Sequence, residues 1–261
     1  MGNFIALMVL AVLQGITEWF PISSSGHLVL FSKILGYSNS VEMDVAMHFG
    51  TLMAVFVYFG KDIIDILEDL LKGRWASPRA RIGWFILVAS VPTAIIGFIF
   101  KKYFELAFES LAIVALGFAI TSVVLMIASL DLGKKRVEKE NMGFFRAFWI
   151  GVAQAVAIFP GISRSGSTIS AGLFSGLDER DAMRFSFLLS IPAVFGASLV
   201  SIGNNVLPKE LFWATLVSFV VGMATIHLLL KVVLTSRKNL RWFALYVLLL
   251  AIGIGIYLLF W

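Results

Sequence analysis

The sequence predicts an all-α polytopic membrane protein, with six transmembrane helices plus two re-entrant helical hairpins arranged as an inverted-topology repeat. Three observations lead there. The 261 residues are 59% hydrophobic and 14% charged, with a mean hydropathy of +0.93; a soluble domain carries roughly 45–50% apolar and about 25% charged residues. Apolar stretches long enough to cross a hydrocarbon layer of about 30 Å recur from end to end. Two of these stretches are interrupted by clusters of Pro, Gly and Ser, and the two interruptions resemble each other.

Taken in order, the spanning stretches are 43–60, 82–100, 110–130, 182–203, 210–233 and 241–261. The interrupted stretches are 4–35 and 145–176, broken at Pro21-Ile22-Ser23-Ser24-Ser25-Gly26 and at Pro160-Gly161-Ile162-Ser163-Arg164-Ser165-Gly166. Proline and glycine punctuate helices, so each reads as a half-helix in, a loop and a half-helix out. Between the spans, Lys61 to Lys72 alternates charge with Ile and Leu and reads as an amphipathic helix on the membrane surface. Tyr58, Trp84, Tyr103, Trp242 and Trp261 fall near helix ends, where aromatic rings anchor at the interface.

Gln14 and the Ile-Ser-x-Ser-Gly element ending at Gly26 recur as Gln154 and the element ending at Gly166, an offset of 140 residues. Met53-Ala54-Val55-Phe56 is echoed by Pro192-Ala193-Val194-Phe195 at an offset of 139. The chain therefore reads as a single transmembrane domain made of repeat 1 (1–130), a basic cytoplasmic loop (131–143) and repeat 2 (144–261). One hairpin plus three crossings is an odd number, so the second copy is inverted, and broken helices of inverted repeats meet at polar sites.

Lys and Arg set the orientation. Fifteen lie in loops of one face: Lys61, Lys72, Arg74, Arg79, Arg81, Lys134, Lys135, Arg136, Lys139, Arg146, Arg180, Arg184, Arg237, Lys238 and Arg241. The opposite face holds four, Lys33, Lys101, Lys102 and Lys209. The first face is expected to be cytoplasmic, with both termini and the first hairpin opening outside and the second hairpin entering from the cytoplasm. The net charge of +5 is thus a topology signal, and no nucleic-acid partner is expected. The absence of cysteine excludes disulfides and thiolate metal sites. Phe4 to Leu13 lacks a basic leader and a small-residue cleavage site, so no cleavable signal is expected.

The chemistry gathers at the two breaks. Gln14 and Glu18 share one helix face, and a carboxylate in an apolar helix marks a functional site that needs a partner. A half-helix starting near Ser23 would aim free amides at an anion, with Ser23, Ser25 and Gly26 as ligand contacts. Ser24 and His27 stand at i and i+3, within reach of each other. At the second break Arg164 offers a planar donor fork suited to phosphate. Ser163, Ser165, Ser167 and Thr168 add hydroxyls, while Gly161 and Gly166 permit close backbone approach. Helix capping alone would explain the serines and glycines, but not an acid, a histidine and an arginine converging on two related breaks. His48 and His227 stand alone and read as packing residues; Asp178, Asp181, Glu42 and Asp44 read as first-turn acids that suit the helix dipole.

At these residues the chain resembles the undecaprenyl-diphosphate phosphatase, or bacitracin-resistance, family. That family is marked by (Glu/Gln)-x-x-x-Glu leading into Ser-Ser-x-Gly-His, here Gln14, Glu18 and Ser23 to His27, and by Pro-Gly-x-Ser-Arg-Ser-x-x-Thr, here Pro160 to Thr168 in full. The hydropathy layout fits along essentially the whole length. Gln at position 14 is allowed by the motif and leaves one fewer carboxylate for a metal.

The resemblance implies hydrolysis of undecaprenyl diphosphate to undecaprenyl phosphate in the bacterial plasma membrane, recycling the carrier for peptidoglycan and other envelope polymers and conferring bacitracin resistance. It implies a divalent cation, Mg²⁺ or Ca²⁺, for which Glu18 and Gln14 are the candidate ligands, and a site on the periplasmic side. The partners are then a polyprenyl diphosphate lipid and the bilayer, with a second copy of the chain in a homodimer as a further candidate. On this reading Ser24 is the nucleophile, His27 its base and then acid, Glu18 the orienter of His27 or the metal ligand, and Arg164 the phosphate clamp. A rival scheme has His27 or the metal activate water. Two other functions compete. A phosphatidic-acid-type phosphatase needs a His followed by an acid after the Ser-Arg motif, and only His227 follows Arg164. A transporter that flips undecaprenyl phosphate would use the same broken-helix architecture.

Overall fold

The structure, a computed structural model, describes residues 2–38, 40–131, 136–201, 209–233 and 235–260. Lys134, Lys135, Trp261 and the end of the 182–203 span lie outside the described residues. The described residues form twelve α-helices and no strand: α1 (Gly2–Thr17), α2 (Ser24–Leu35), α3 (Val41–Tyr58), α4 (Gly60–Leu71), α5 (Pro78–Ile99), α6 (Lys101–Phe108), α7 (Leu111–Ala128), α8 (Phe144–Val156), α9 (Arg164–Phe174), α10 (Glu179–Ser201), α11 (Lys209–Leu228) and α12 (Leu240–Phe260).

Among these, four segments are long and apolar enough to cross a membrane: Pro78–Ile99, Leu111–Ala128, Lys209–Lys231 and Arg237–Phe260. The protein is a polytopic membrane protein. The stretches at 43–60 and 182–203, expected as spans, are helical as α3 and α10, 18 and 23 residues long with acids in their first turns, but they are not among those four. In α10 the Asp178 carboxylate caps the helix by accepting from the Asp181 amide at 2.7 Å. Each interrupted stretch is two helices, of 16 and 12 residues in the first (α1, α2) and 13 and 11 in the second (α8, α9). At about 1.5 Å per residue, none of the four reaches across about 30 Å of hydrocarbon. Lys61 to Lys72 forms the amphipathic α4, which exposes Ile64, Leu67 and Leu71 and buries Ile66 against α5. Lys101 and Lys102 begin a second short helix, α6, instead of lying in a loop.

Small residues and hydroxyls set the helix contacts, as expected where lipid gives helices no hydrophobic reason to associate. α3 lies along α11, with Thr215 donating to the Ala46 carbonyl at 3.0 Å and Ser218 to the Met47 carbonyl at 3.0 Å. A Cβ on Gly50 would strike Ser218 and the Thr215 carbonyl. α8 lies along α5, where a Cβ on Gly151 would strike the Ala89 backbone, and α1 lies along α11 through Gly15. α7 pairs with α12. The main apolar core runs through Trp19, Phe85, Phe185 and Phe187. Smaller clusters form around Leu10, Met43 and Met47, and around Phe118 and Val247.

Ion pairs tie the start of α10 to α4 and to the segments that precede α8 and α12. Arg184 meets Asp62 at 2.9 Å, Lys139 meets Asp181 at 2.7 Å, and Arg237 meets Glu179 at 3.0 Å.

Candidate active site

The first hairpin tip is built by the end of α1 and the start of α2. Gln14 occupies the last full turn of α1, and Glu18 follows one turn later with its amide still donating to the Gln14 carbonyl at 3.0 Å. The chain turns through Trp19 to Ile22, and Ser23 caps α2, its Oγ accepting from the Gly26 amide at 3.3 Å. Ser23 does this at φ 69°, the only positive φ on a non-glycine among the described residues. That region is disfavoured for residues with a Cβ.

The second tip repeats the pattern. Ser163 caps α9, accepting from the Gly166 amide at 3.0 Å. Its Oγ lies 3.2 Å from Ser165 Oγ, the same distance as between Ser23 and Ser25. Gly161, at φ 86°, presses into α7: a Cβ there would strike the Val114 carbonyl, and one on Gly117 would strike the Pro160 carbonyl. Thr121 of α7 fixes the turn, donating to the Gly161 carbonyl and accepting from the Ser163 amide, both at 2.9 Å.

The tips touch each other. Ser165 Oγ donates to the Phe20 carbonyl at 2.9 Å; a Cβ on Gly26 would meet Gly161 Cα at 2.9 Å, and one on Gly166 would meet Pro21 at 3.4 Å. This contact brings Arg164, the first residue of α9, onto Glu18, with Nη2 to Oε1 at 2.5 Å. The other carboxylate oxygen, Oε2, accepts from Ser24 Oγ at 2.6 Å and from Gln14 Nε2 at 3.1 Å. Glu18 is buried and Arg164 nearly so, with side-chain exposures of 6% and 16%. The guanidinium lies over the Trp19 ring at 5.4 Å, a cation–π contact that helps hold a charge away from water. Its remaining donors are loosely used, Nη1 reaching the Ser186 carbonyl at 3.5 Å. Thr168 turns inward to Ser186 Oγ at 2.6 Å and to the Arg164 carbonyl at 2.8 Å.

Of the residues singled out from sequence, Gln14, Glu18, Ser24 and Arg164 therefore form one hydrogen-bonded cluster. Ser23, Ser25, Gly26, Gly161, Ser163, Ser165, Gly166 and Thr168 build the two tips beneath it. His27 lies elsewhere. Its Nδ1 donates to the Ser23 carbonyl at 2.7 Å, and its Nε2 stands 2.8 Å from the Tyr246 hydroxyl of α12. The ring is fully buried, nearly parallel to the rings of Phe31 and Tyr246 and nearly perpendicular to that of Phe118. A carbonyl only accepts, so Nδ1 carries the proton and the Nε2 lone pair receives the tyrosine hydroxyl.

The imidazole at the cluster is that of His48, whose sequence context gives it a packing role. Its Nδ1 donates to the Asp44 carbonyl at 2.7 Å and its Nε2 faces Glu18 Oε2 at 3.7 Å. Trp19 and Ser186 are the other partners of the cluster that the motifs do not mark. Only the packing of α3 and α10 against the first tip reveals them, and no local spacing announces it. His227 sits apart from this cluster, beside Tyr58. Among the described residues no group of three acidic, His or Cys side chains could hold a metal. The oxygen beside Glu18 that lacks a partner is Gln14 Oε1, which is buried.

Fold and site together define a class: a polytopic α-helical membrane protein whose buried carboxylate, serine and arginine meet where two broken helical hairpins touch. Comparison with known proteins makes this specific. Residues 7–253 match the family described as bacitracin resistance protein BacA, and the chain belongs to that family. The chain is 38% identical over 259 residues to the undecaprenyl-diphosphatase of Korarchaeum cryptofilum, covering 95% of this chain and 96% of that one. It is 39% identical over 259 residues to that of Caldicellulosiruptor bescii, covering 96% of each. To that of Desulforapulum autotrophicum it is 40% identical over 250 residues, covering 88% of this chain and 90% of the relative.

Proposed function

We propose that this protein is an integral-membrane undecaprenyl-diphosphate phosphatase. It hydrolyses undecaprenyl diphosphate to undecaprenyl phosphate and inorganic phosphate, recycling the lipid carrier for envelope synthesis and conferring bacitracin resistance. The observation that carries the chemical reading is the shared carboxylate: Glu18 holds the Ser24 hydroxyl on one oxygen and Arg164 on the other.

Phosphoryl transfer is largely a matter of positioning and of neutralising charge on oxygen. Arg164, with guanidinium donors to spare, and the amides at the starts of α2 and α9 receive the diphosphate oxygens. Ser24 Oγ attacks the terminal phosphorus as Glu18 Oε2 takes its proton. The bond from phosphorus to the bridging oxygen breaks, and undecaprenyl phosphate leaves with that oxygen. Water then attacks the phosphoserine with Glu18 assisting, releasing inorganic phosphate and returning the proton to Ser24. The direct contact of Ser24 with Glu18 supports the carboxylate as base in place of His27.

The family's divalent cation, Mg²⁺ or Ca²⁺, fits this donor set. Such ions are commonly held by one or two carboxylates plus phosphate oxygens. Glu18 and the unpartnered Gln14 Oε1 are the oxygens that would hold it, and it would supply further charge neutralisation at the phosphates.

We place the hairpins as re-entrant elements among six spans, α3, α5, α7, α10, α11 and α12, in two inverted repeats. The reciprocal packing of α1 on α11 and of α8 on α5 supports that symmetry. The excess of Lys and Arg on one face supports a multi-pass plasma-membrane orientation with both termini outside and the site opening to the periplasmic face.

The test is phosphate release from a polyprenyl diphosphate by the detergent-purified chain with Mg²⁺, comparing wild type with Arg164→Ala. A rate lost in the variant and on chelation supports the reading. No release from folded wild type rejects it and turns attention to lipid flipping, which detergent cannot report.

A further inference from the structure

His27 has both ring nitrogens engaged, and neither faces the Ser24 hydroxyl. Its Nδ1 holds the carbonyl of Ser23, the residue whose φ of 69° is unusual for a side-chain-bearing residue. That same carbonyl also accepts the His27 amide at 3.2 Å, as the first backbone bond of α2. Conformations of this kind persist only where their surroundings over-determine them. Here the surroundings are an imidazole fixed from its far side by Tyr246, a residue of α12 outside every motif that marks the site. What Ser23 controls is the direction in which α2 begins. The next residue, Ser24, is the one in contact with Glu18.

We propose that Tyr246 and His27 form a strut that runs from α12 to the backbone of Ser23 and sets the aim of Ser24. Both are positioning residues, acting through a backbone carbonyl. The proposal rests on the phosphatase reading and deepens it. It also predicts that the hydroxyl of Tyr246 matters, although the ring is half-exposed on the flank of the bundle and contacts none of Gln14, Glu18, Ser24 or Arg164.

The strut explains the burial of His27 among Phe31, Phe118 and Tyr246. A general base needs a free lone pair within reach of the proton it takes. The Nε2 lone pair is taken up by Tyr246, and the hydroxyl it would have to serve is held by Glu18. A strut needs what is present: two directional bonds from the two nitrogens of a rigid ring, and aromatic neighbours packed around it.

The experiment uses the full chain in detergent and measures phosphate release with three variants: Tyr246→Phe, His27→Gln, and Tyr246→Phe combined with Ser23→Asn. Asparagine adopts positive φ more readily than serine and still caps a helix, so it should hold the turn without the strut. We expect Tyr246→Phe to lower kcat about tenfold at unchanged KM, with the shape of the pH–rate profile preserved. Addition of Ser23→Asn should recover most of that loss, and His27→Gln should behave like Tyr246→Phe. Hydrogen exchange of the 20–30 segment should quicken in Tyr246→Phe while other segments keep their protection. Wild-type kcat in Tyr246→Phe, unchanged exchange in that segment, or loss of the acidic limb of the profile in His27→Gln would overturn the strut. Failure of wild type to release phosphate would instead remove the phosphatase reading, so the two failures are distinct.

Discussion

Glu18 and Arg164 come from different hairpins, 146 residues apart in sequence, yet the arginine sits on one oxygen of the carboxylate while Ser24 donates to the other at 2.6 Å. The pair is buried, and a charge at that depth requires its counterpart. Arg164→Lys keeps the charge but loses the planar fork. Its kcat for phosphate release should fall by about 10²- to 10³-fold, the usual effect of removing an oxyanion donor. A rate within twofold of wild type would remove Arg164 from the phosphate site.

Ser24→Ala should abolish turnover, by about 10³-fold or more. Acid quenching of wild type during turnover should trap phosphoserine on the peptide containing Ser24, detectable by mass spectrometry. A Ser24→Ala enzyme that retains activity would transfer the attack to water.

Gln14 supplies an amide oxygen where a second carboxylate would bind a cation more strongly. Gln14→Glu should lower the half-saturating Mg²⁺ concentration about tenfold, since affinity for hard cations follows ligand charge, and Gln14→Leu should raise it. Titration of phosphate release against Mg²⁺ checks both. Identical curves would take position 14 out of the cation site.

Gly117 is the floor on which the second tip rests, and a Cβ there would strike the Pro160 and Gly161 backbone. Gly117→Ala should destabilise the protein by about 1–3 kcal/mol, the range for overpacking, and lower activity with it. Gly253 of α12 has open space around its Cα, so Gly253→Ala should leave both unharmed. Thermal unfolding in detergent distinguishes the two.

Glu179 lies at the start of α10 and pairs with Arg237. Burial opposes its charge, but hydrogen bonds from the backbone and from Arg237 outweigh that, and its carboxyl is held below the ordinary value. A depressed folded-state pKa stabilises above the unfolded value of about 4.3 and loses that contribution as pH falls through the folded value. Thermal stability of wild type should therefore decline below about pH 4.3 more steeply than that of Glu179→Gln. Parallel curves would show the pair to be energetically neutral.

Much of this is legible in the sequence. Pro21 to Gly26 and Pro160 to Gly166 mark both helix breaks, because proline, glycine and capping serines act locally. The grouping of Gln14 and Glu18 follows from helical spacing, and the cost of a lone charge in lipid calls for an anion beside Arg164 without deciding between Glu18 and a substrate diphosphate. His27 shows where local spacing fails. Its i, i+3 relation to Ser24 suggests a pair, but helical side chains lean back toward the N-terminus, and the ring reaches the Ser23 carbonyl instead. The competition for Ser24 is won by Glu18, which lies on the other side of the turn, just past the end of α1. His48 was illegible for the same reason: only the packing of α3 against the first tip turns a solitary histidine into a neighbour of Glu18.

The second hairpin keeps the glutamine, the proline and the capping serines of the first, but Ile158 stands one turn after Gln154 where Glu18 follows Gln14. The arginine occurs only in the second and the acid only in the first. Each half of the chain by itself leaves one of the two ions without its counterpart, and the docking of the hairpins pairs them. The contact that closes the cluster is therefore also the one that balances its charge: neither hairpin is electrically complete until both are in place.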